Sequence, residues 1–296
     1  MSAPLTIALG HHQISRAVTP ALAAEHGLDI AIQAIDPIHM AFAPMIRTQA
    51  FDISEIAVVS AVQAFAYDKP LMLMPVTLAA RYQHKCIVRD ARRPAFGPEG
   101  LVGKRVGVRA YTQTTGAWVR TLLQQDYGVH PLDMHWITQT GAHVAEYDDP
   151  VHIEHVGREL SLIKMLEDGT IDAAIFGNDL PDLPWIAPVI ADAAQAGPAA
   201  HRRTGVVPIN HILTITSDLA QRRPEVPAQV MALFRAAKAA SGLATDPDIF
   251  PIGLTAMRPS IHALLRSAYD QKLLPRPLDC DALFAPLRAL IGDLVD

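Results

Sequence analysis

Three stretches bring together residues able to move a proton or hold an anion. The first is Arg81-Tyr-Gln-His-Lys-Cys86, which combines two cations with an imidazole just beyond an apolar run. A histidine titrates near neutrality, so His84 suits a proton donor or acceptor. Arg81 offers a planar guanidinium that matches a carboxylate. A strand end with solvated charges would look the same. The second is Arg202-Arg-Thr-Gly-Val-Val-Pro-Ile-Asn-His211, whose histidine opens an apolar strand over 212–216. His211 is then either a proton donor or a hydrogen-bonded core histidine, and Arg202 either an anion ligand or part of a turn. The third is Thr112, Thr114 and Thr115, lying between a strand and a helix. Hydroxyls and N–H groups there would hold a carboxylate or simply cap the helix. Ser54 and Glu55 occupy the equivalent place earlier in the chain, where Glu55 could orient or activate a histidine.

Other chemistries find little support. His143, Glu146, Asp148, Asp149, His152, Glu154 and His155 share one stretch without ligand spacing, so a solvated acidic loop is expected and no metal. No P-loop, no GxGxxG after a strand and no G-x-S-x-G is present, which argues against nucleotide cofactors and serine hydrolysis. Cys86 and Cys280 fit no redox or metal pattern and are expected to be ordinary buried thiols. The chain has 296 residues, 50% hydrophobic and 19% charged, which predicts a globular body with ample core. A net charge of -5 with no basic cluster argues against nucleic acid and favours a small-molecule partner. The apolar run 71–80 contains Pro75 and is too short for a membrane span. The first apolar run is broken by His11 and His12, with no Lys or Arg before Arg16, so a cytoplasmic protein without a leader is expected. A homo-oligomer remains open.

The elements that would position these residues alternate between strands and helices. Strands are expected over 5–9, 29–35, 71–76 and 85–88, with helices over 15–26, 44–50 and 60–66. After a Pro-, Gly- and Arg-rich loop at 90–100, Leu101-Val-Gly-Lys-Arg-Val-Gly-Val108 predicts a turn and a short strand. A helix over 118–127, a strand over 133–138, a helix closed by Gly169 and a strand over 171–175 follow. Helices are expected again over 227–241 and 259–271. This rhythm implies parallel sheets with crossovers, whose ligands lie beyond the strands' carboxyl ends. Two phrases, 101–108 and 166–175, resemble the second lobe of type II periplasmic-binding-protein folds. The expected architecture is α/β and two-lobed with a cleft between lobes: residues 1–90 with 204–296 in lobe 1, and 91–203 in lobe 2.

A longer ordered set narrows the resemblance. Phe51-Asp-Ile-Ser-Glu, Tyr111 with Thr114, Trp118 and Arg120, Gln125-Asp-Tyr-Gly-Val129, residues 160–172, the phrase 202–211, Arg258-Pro259, Leu273-Leu-Pro-Arg-Pro-Leu278 and Leu283-Phe-Ala-Pro286 recur in order. Together they resemble the 4,5-dihydroxyphthalate decarboxylase family, which builds an enzyme on the periplasmic-binding-protein fold. Gly10-His-His-Gln-Ile-Ser15, Ala110 and Gly177-Asn-Asp-Leu-Pro181 depart from it at places that would line a cleft. The resemblance implies a cofactor-independent carboxy-lyase acting on a hydroxylated aromatic carboxylate. His211 or His84 would donate the proton. Arg81, Arg202 and Arg258 would hold carboxylate and phenolate groups, with Ser54, Glu55, Tyr111 and Thr114 completing the site. The rival is a solute-binding protein that captures a small organic anion without chemistry. A lyase for another ring acid, as in related menaquinone-pathway enzymes of this fold, is a third reading.

Overall fold

The computed structural model describes residues 3–33, 35–243 and 246–296. Ala34, inside the strand expected over 29–35, lies outside them. The first sheet begins with β1 (Leu5–Ala8), β2 (Ile30–Gln33), β3 (Ile53–Ala57) and β4 (Leu71–Ala80). The second holds β5 (Ile87–Asp90), β6 (Arg105–Val108), β7 (His135–Thr138), β8 (Glu154–His155), β9 (Ala173–Ile175) and β10 (Ile186–Pro188). The chain then returns to the first sheet as β11 (Ile209–Thr216). The two orders are β2-β1-β3-β11-β4 and β10-β5-β9-β6-β7-β8. Each is mixed, as an α/β sheet becomes when a crossing strand is inserted among parallel ones.

The crossings fall slightly off the expected places. Ile87–Asp90, assigned to the first lobe from its spacing, pairs with β9 and β10 in the second sheet. Both flanking apolar runs are strand-like, so the spacing alone did not say which sheet each joins. Before the return crossing, the Ala-rich tract forms the helix Ala193–Thr204. Alanine is the strongest helix former, Arg202 and Arg203 in the last turn complement the helix dipole, and Gly205 ends it at φ +68°. A single helix expected over 15–26 is two, Gln13–Ala17 and Pro20–Glu25, because Pro20 disfavours a helical residue before it. Pro75 is tolerated in β4 because that strand lies at the sheet edge.

The C-terminal helices return to the first lobe. Val226–Ala240 packs on Gln13–Ala17, and Cys280–Ile291 packs on β4. Leu254–Asp270 reaches across to the helix Thr114–Tyr127 of the second lobe. That junction is centred on the fully buried Arg120, which donates to Gln271 Oε1 and to the Tyr111 carbonyl, both at 2.6 Å, and stacks 4.1 Å from the Tyr111 ring. Trp118 Nε1 donates to the Ile209 carbonyl at 2.7 Å, tying the same helix to β11. Cys86 and Cys280 are free and buried. No helix among the described residues is long and apolar enough to cross a membrane.

Candidate active site in the cleft

β1 and β3 are parallel neighbours, with Ala8 beside Ser54, so the loop leaving β1 passes over Glu55. On the other side of β3, Leu213 of β11 is the direct partner of Glu55. His211, two residues away, is its diagonal neighbour on the same face, within reach of a long side chain. The β11–β4 register shifts around His211, a bulge of the kind that re-aims a side chain at a sheet rim. These placements converge on one carboxylate. Glu55 Oε1 accepts from His12 Nε2 at 2.7 Å and from His211 Nδ1 at 2.5 Å, and Oε2 accepts from the Gly10 N–H at 2.7 Å. Gly10 has to be small there, since a Cβ would stand 3.1 Å from both Glu55 Oε2 and His12 Nε2.

Glu55 is fully buried while the two imidazoles are partly exposed. Burial alone would raise its carboxyl; the His12 and His211 hydrogen bonds and charges outweigh that and hold it at about 2. At His12 burial favours the neutral ring, but the Glu55 hydrogen bond and charge prevail and the pKa is raised. Glu55 is thus an anion that favours the protonated form of His12. His12, Glu55 and His211 also offer three ligand atoms within 4.8 Å of one another, the set among the described residues that could hold a metal ion. Two hydrogen bonds on one carboxylate oxygen account for the same geometry.

The second lobe closes over this cluster. The Phe42 ring lies edge-on to His211 on one side and His143 on the other, at 5.2 and 5.6 Å between centroids. His143 Nδ1 bonds Ser60 Oγ at 2.8 Å, and Arg47 of the first lobe donates to the His143 and Ala142 carbonyls. Burial, with Arg109 nearby, holds His143 at about 4, so it is neutral at physiological pH. At the end of β4, Arg81 donates to Asn178 Oδ1 and, at 3.0 Å, to Thr115 Oγ1. Both partners are neutral, so the Arg81 charge stays available to an anion. Asn210, beside His211, donates to Thr115 Oγ1 and accepts from Gln83.

Glu55, His211 and Arg81 are thus brought to the cleft, with Thr115 and His143 beside them, and the other candidate site residues named from sequence are not. His84 is buried in a short turn, 3.8 Å from Asp126 and away from the Glu55 cluster. Burial, only partly offset by Asp126, lowers its pKa. Ser54 Oγ donates to a strand carbonyl and Thr114 Oγ1 accepts from the Val59 N–H, so both hydroxyls serve the fold. Tyr111 is buried with its hydroxyl on the Gln271 carbonyl. Arg202 is exposed on its helix. Arg258 makes a two-pronged pair with Asp281 and lines a separate groove of about 520 Å³ with Arg266 and His262. The residue missed by sequence reasoning is His12. Its position just past the first strand of a parallel pair was the available signal.

The two sheets, the double crossing and a cleft with acid–base chemistry at its floor define a periplasmic-binding-protein-like fold. Solved structures agree. Over 99% of its length the chain matches 94% of the periplasmic sulfonate-binding protein SsuA from Methylobacillus flagellatus KT, with a TM-score of 0.55 and 12% identity. Over 98% it matches 99% of the desulfurization enzyme DSZB, with a TM-score of 0.52 and 13% identity. No family model matches the chain. At the level of sequence the resemblance read from the ordered motifs holds. The chain is 28% identical over 260 residues, 79% of its length and 74% of the relative's, to a 4,5-dihydroxyphthalate decarboxylase from Comamonas testosteroni. It is 29% identical over 161 residues, 50% of its length and 62% of the relative's, to one from Pseudomonas putida.

Proposed function

We propose that this chain is a carboxy-lyase that removes CO2 from a hydroxylated aromatic carboxylate of the 4,5-dihydroxyphthalate type. The observation that carries the reading is the buried Glu55 anion between two partly exposed imidazoles, with Arg81 beside them. The similarity to the two decarboxylases supports it.

The reaction needs a proton delivered to the ring carbon that bears the departing carboxylate, and an electron pair pushed there from a ring hydroxyl. His211, as imidazolium, donates the proton; Glu55 stabilises that cation before transfer and fixes the ring's orientation. His12, in its neutral form, accepts the hydroxyl proton. The C–C bond then breaks, its electron pair restores the aromatic ring and leaves the ring oxygen as a phenolate, CO2 leaves, and hydrogen stands where the carboxylate was. His12 returns its proton to the phenolate and His211 regains one from solvent, so one proton is consumed overall. Arg81 holds negative charge on the substrate during transfer. The hydroxyl supplies the electron push, so this chemistry calls for no cofactor.

In this reading the closing lobes are 3–80 with 209–296, and 87–204, and the protein works in the cytoplasm, which fractionation of cells expressing the gene would check. The deciding experiment incubates the protein with a panel of aromatic acids and measures released CO2. Acids with a hydroxyl ortho or para to a carboxylate are expected to lose CO2, and unhydroxylated ones are not. No release from any of them would leave a solute-binding protein.

A further inference from the structure

The second lobe carries its own cavity, of about 310 Å³, at the carboxyl ends of β6 and β9. Leu162, Ile163, Ile175 and Phe176 give it an apolar wall, and Arg109 and Arg158 stand at its polar side with Asp179. Its size lies at the lower end for ligand pockets and suits a single-ring acid. Arg109 is half-buried, yet among the described residues its guanidinium makes no hydrogen bond or ion pair. Only its carbonyl is used, accepting from the Gln139 and Thr140 N–H groups, which fixes the residue at the strand end. Arg158 is exposed and equally unpaired. The single carboxylate in the cavity, Asp179, is already engaged by the Gly177 N–H at 2.8 Å and closes no ion pair with either arginine. The Arg109 guanidinium is partly desolvated at the cavity wall, with Asp179 as the nearby negative charge, and an anion entering the cavity would supply the acceptor it lacks. His39 and His143 each lie near both Arg109 and His211, which puts Arg109 on the same cleft as the Glu55 cluster; His143 and His211 flank the Phe42 ring there.

We propose that Arg109, assisted by Arg158, forms an anion subsite on the second lobe that grips a carboxylate other than the one at the His12–Glu55–His211 cluster. The ligand is therefore an aromatic dianion spanning both lobes. The decarboxylase reading enters only in naming the Arg109-bound group as the carboxylate the product retains.

The test is calorimetric titration of the full chain with phthalate, which carries two carboxylates and no hydroxyl, and with benzoate. Wild type should bind phthalate more tightly. Arg109→Gln should weaken phthalate by about tenfold or more, the usual worth of a charge-assisted hydrogen bond, and benzoate by less than threefold. Arg158→Gln should show a smaller loss in the same direction, and Arg109→Lys an intermediate one. Because the apo guanidinium lacks a partner, Arg109→Gln should keep or raise Tm. A parallel loss for both acids, unchanged phthalate binding, or a Tm lowered by several degrees in Arg109→Gln would overturn the subsite. None of these readouts involves CO2. A chain that binds phthalate through Arg109 and decarboxylates nothing would sink the enzyme reading and leave the subsite standing.

Discussion

Replacing Glu55 by Gln removes the charge and keeps the shape, which isolates what the carboxylate does. A carboxyl held at about 2 instead of 4.5 is favoured as the anion by about 3 kcal/mol. That preference is what remains after burial has opposed it, and its source is the pair of imidazole hydrogen bonds together with the imidazolium charges. Coupling is reciprocal, so Glu55 returns to His12 the preference for charge that His12 gives to it, and the His12 pKa is raised. In Glu55→Gln the His12 pKa should therefore fall. The acid limb of the kcat/KM profile, where His12 must lose its proton to act as base, should move to lower pH when followed as CO2 release. Stability should respond as well. An amide cannot accept from Gly10 and both imidazoles, and one orphaned buried donor costs about 1–3 kcal/mol. Because the folded Glu55 pKa is depressed, its contribution is complete above about 4.5 and fades as pH falls toward 2. The urea-unfolding difference between wild type and variant should shrink over that acid range. A folded Glu55→Gln whose acid limb stays in place would refute the argument.

Three further outcomes are expected. His211→Asn should bind substrate within about tenfold of wild type and turn over roughly 10² or more slower, read as a split between KM and kcat. Arg202→Ala should leave both KM and kcat unchanged in the same assay, since the side chain points into solvent on the helix Ala193–Thr204; a weakened KM would return it to the site. Arg120→Leu should destabilise by about 3–5 kcal/mol in urea unfolding, because Gln271 Oε1 and the Tyr111 carbonyl lose a buried charged donor.

The alternation of strands and helices made the α/β architecture legible, and strand-end positions made Glu55 and His211 legible as cleft residues. What resisted was direction. His84 and Arg81 stand three residues apart, but the chain turns between β4 and β5, sending one side chain to Thr115 and the other to Asp126. Arg258 looked like an anion ligand until the fold supplied Asp281 from the next helix. Tyr111 carries a real signal in the ordered motif set, but its role is to pack on Arg120 beneath the cleft. His12 was visible as an interruption of an apolar run and within a cleft-lining departure from the family, but nothing local says that β1 ends beside Glu55. Arg109 sits just past a strand phrase, where a cation reads as ordinary exposure until its lack of a partner is known.

The buried carboxylate separates an enzyme from a capture protein more sharply than the fold does. A cleft that merely binds an organic anion gains from Arg81 and Arg109 and loses from any negative charge at its floor. Glu55 is placed there at the cost of its own desolvation, and its acceptor oxygens are filled by His12, His211 and Gly10 rather than turned to the ligand. Its net effect on a bound anion is therefore small, while its effect on the two imidazoles is large. The arrangement holds two rings in fixed orientation and biases His12 toward the proton-carrying form. Anion capture gives no reason for that expense; proton transfer to and from a bound ring does.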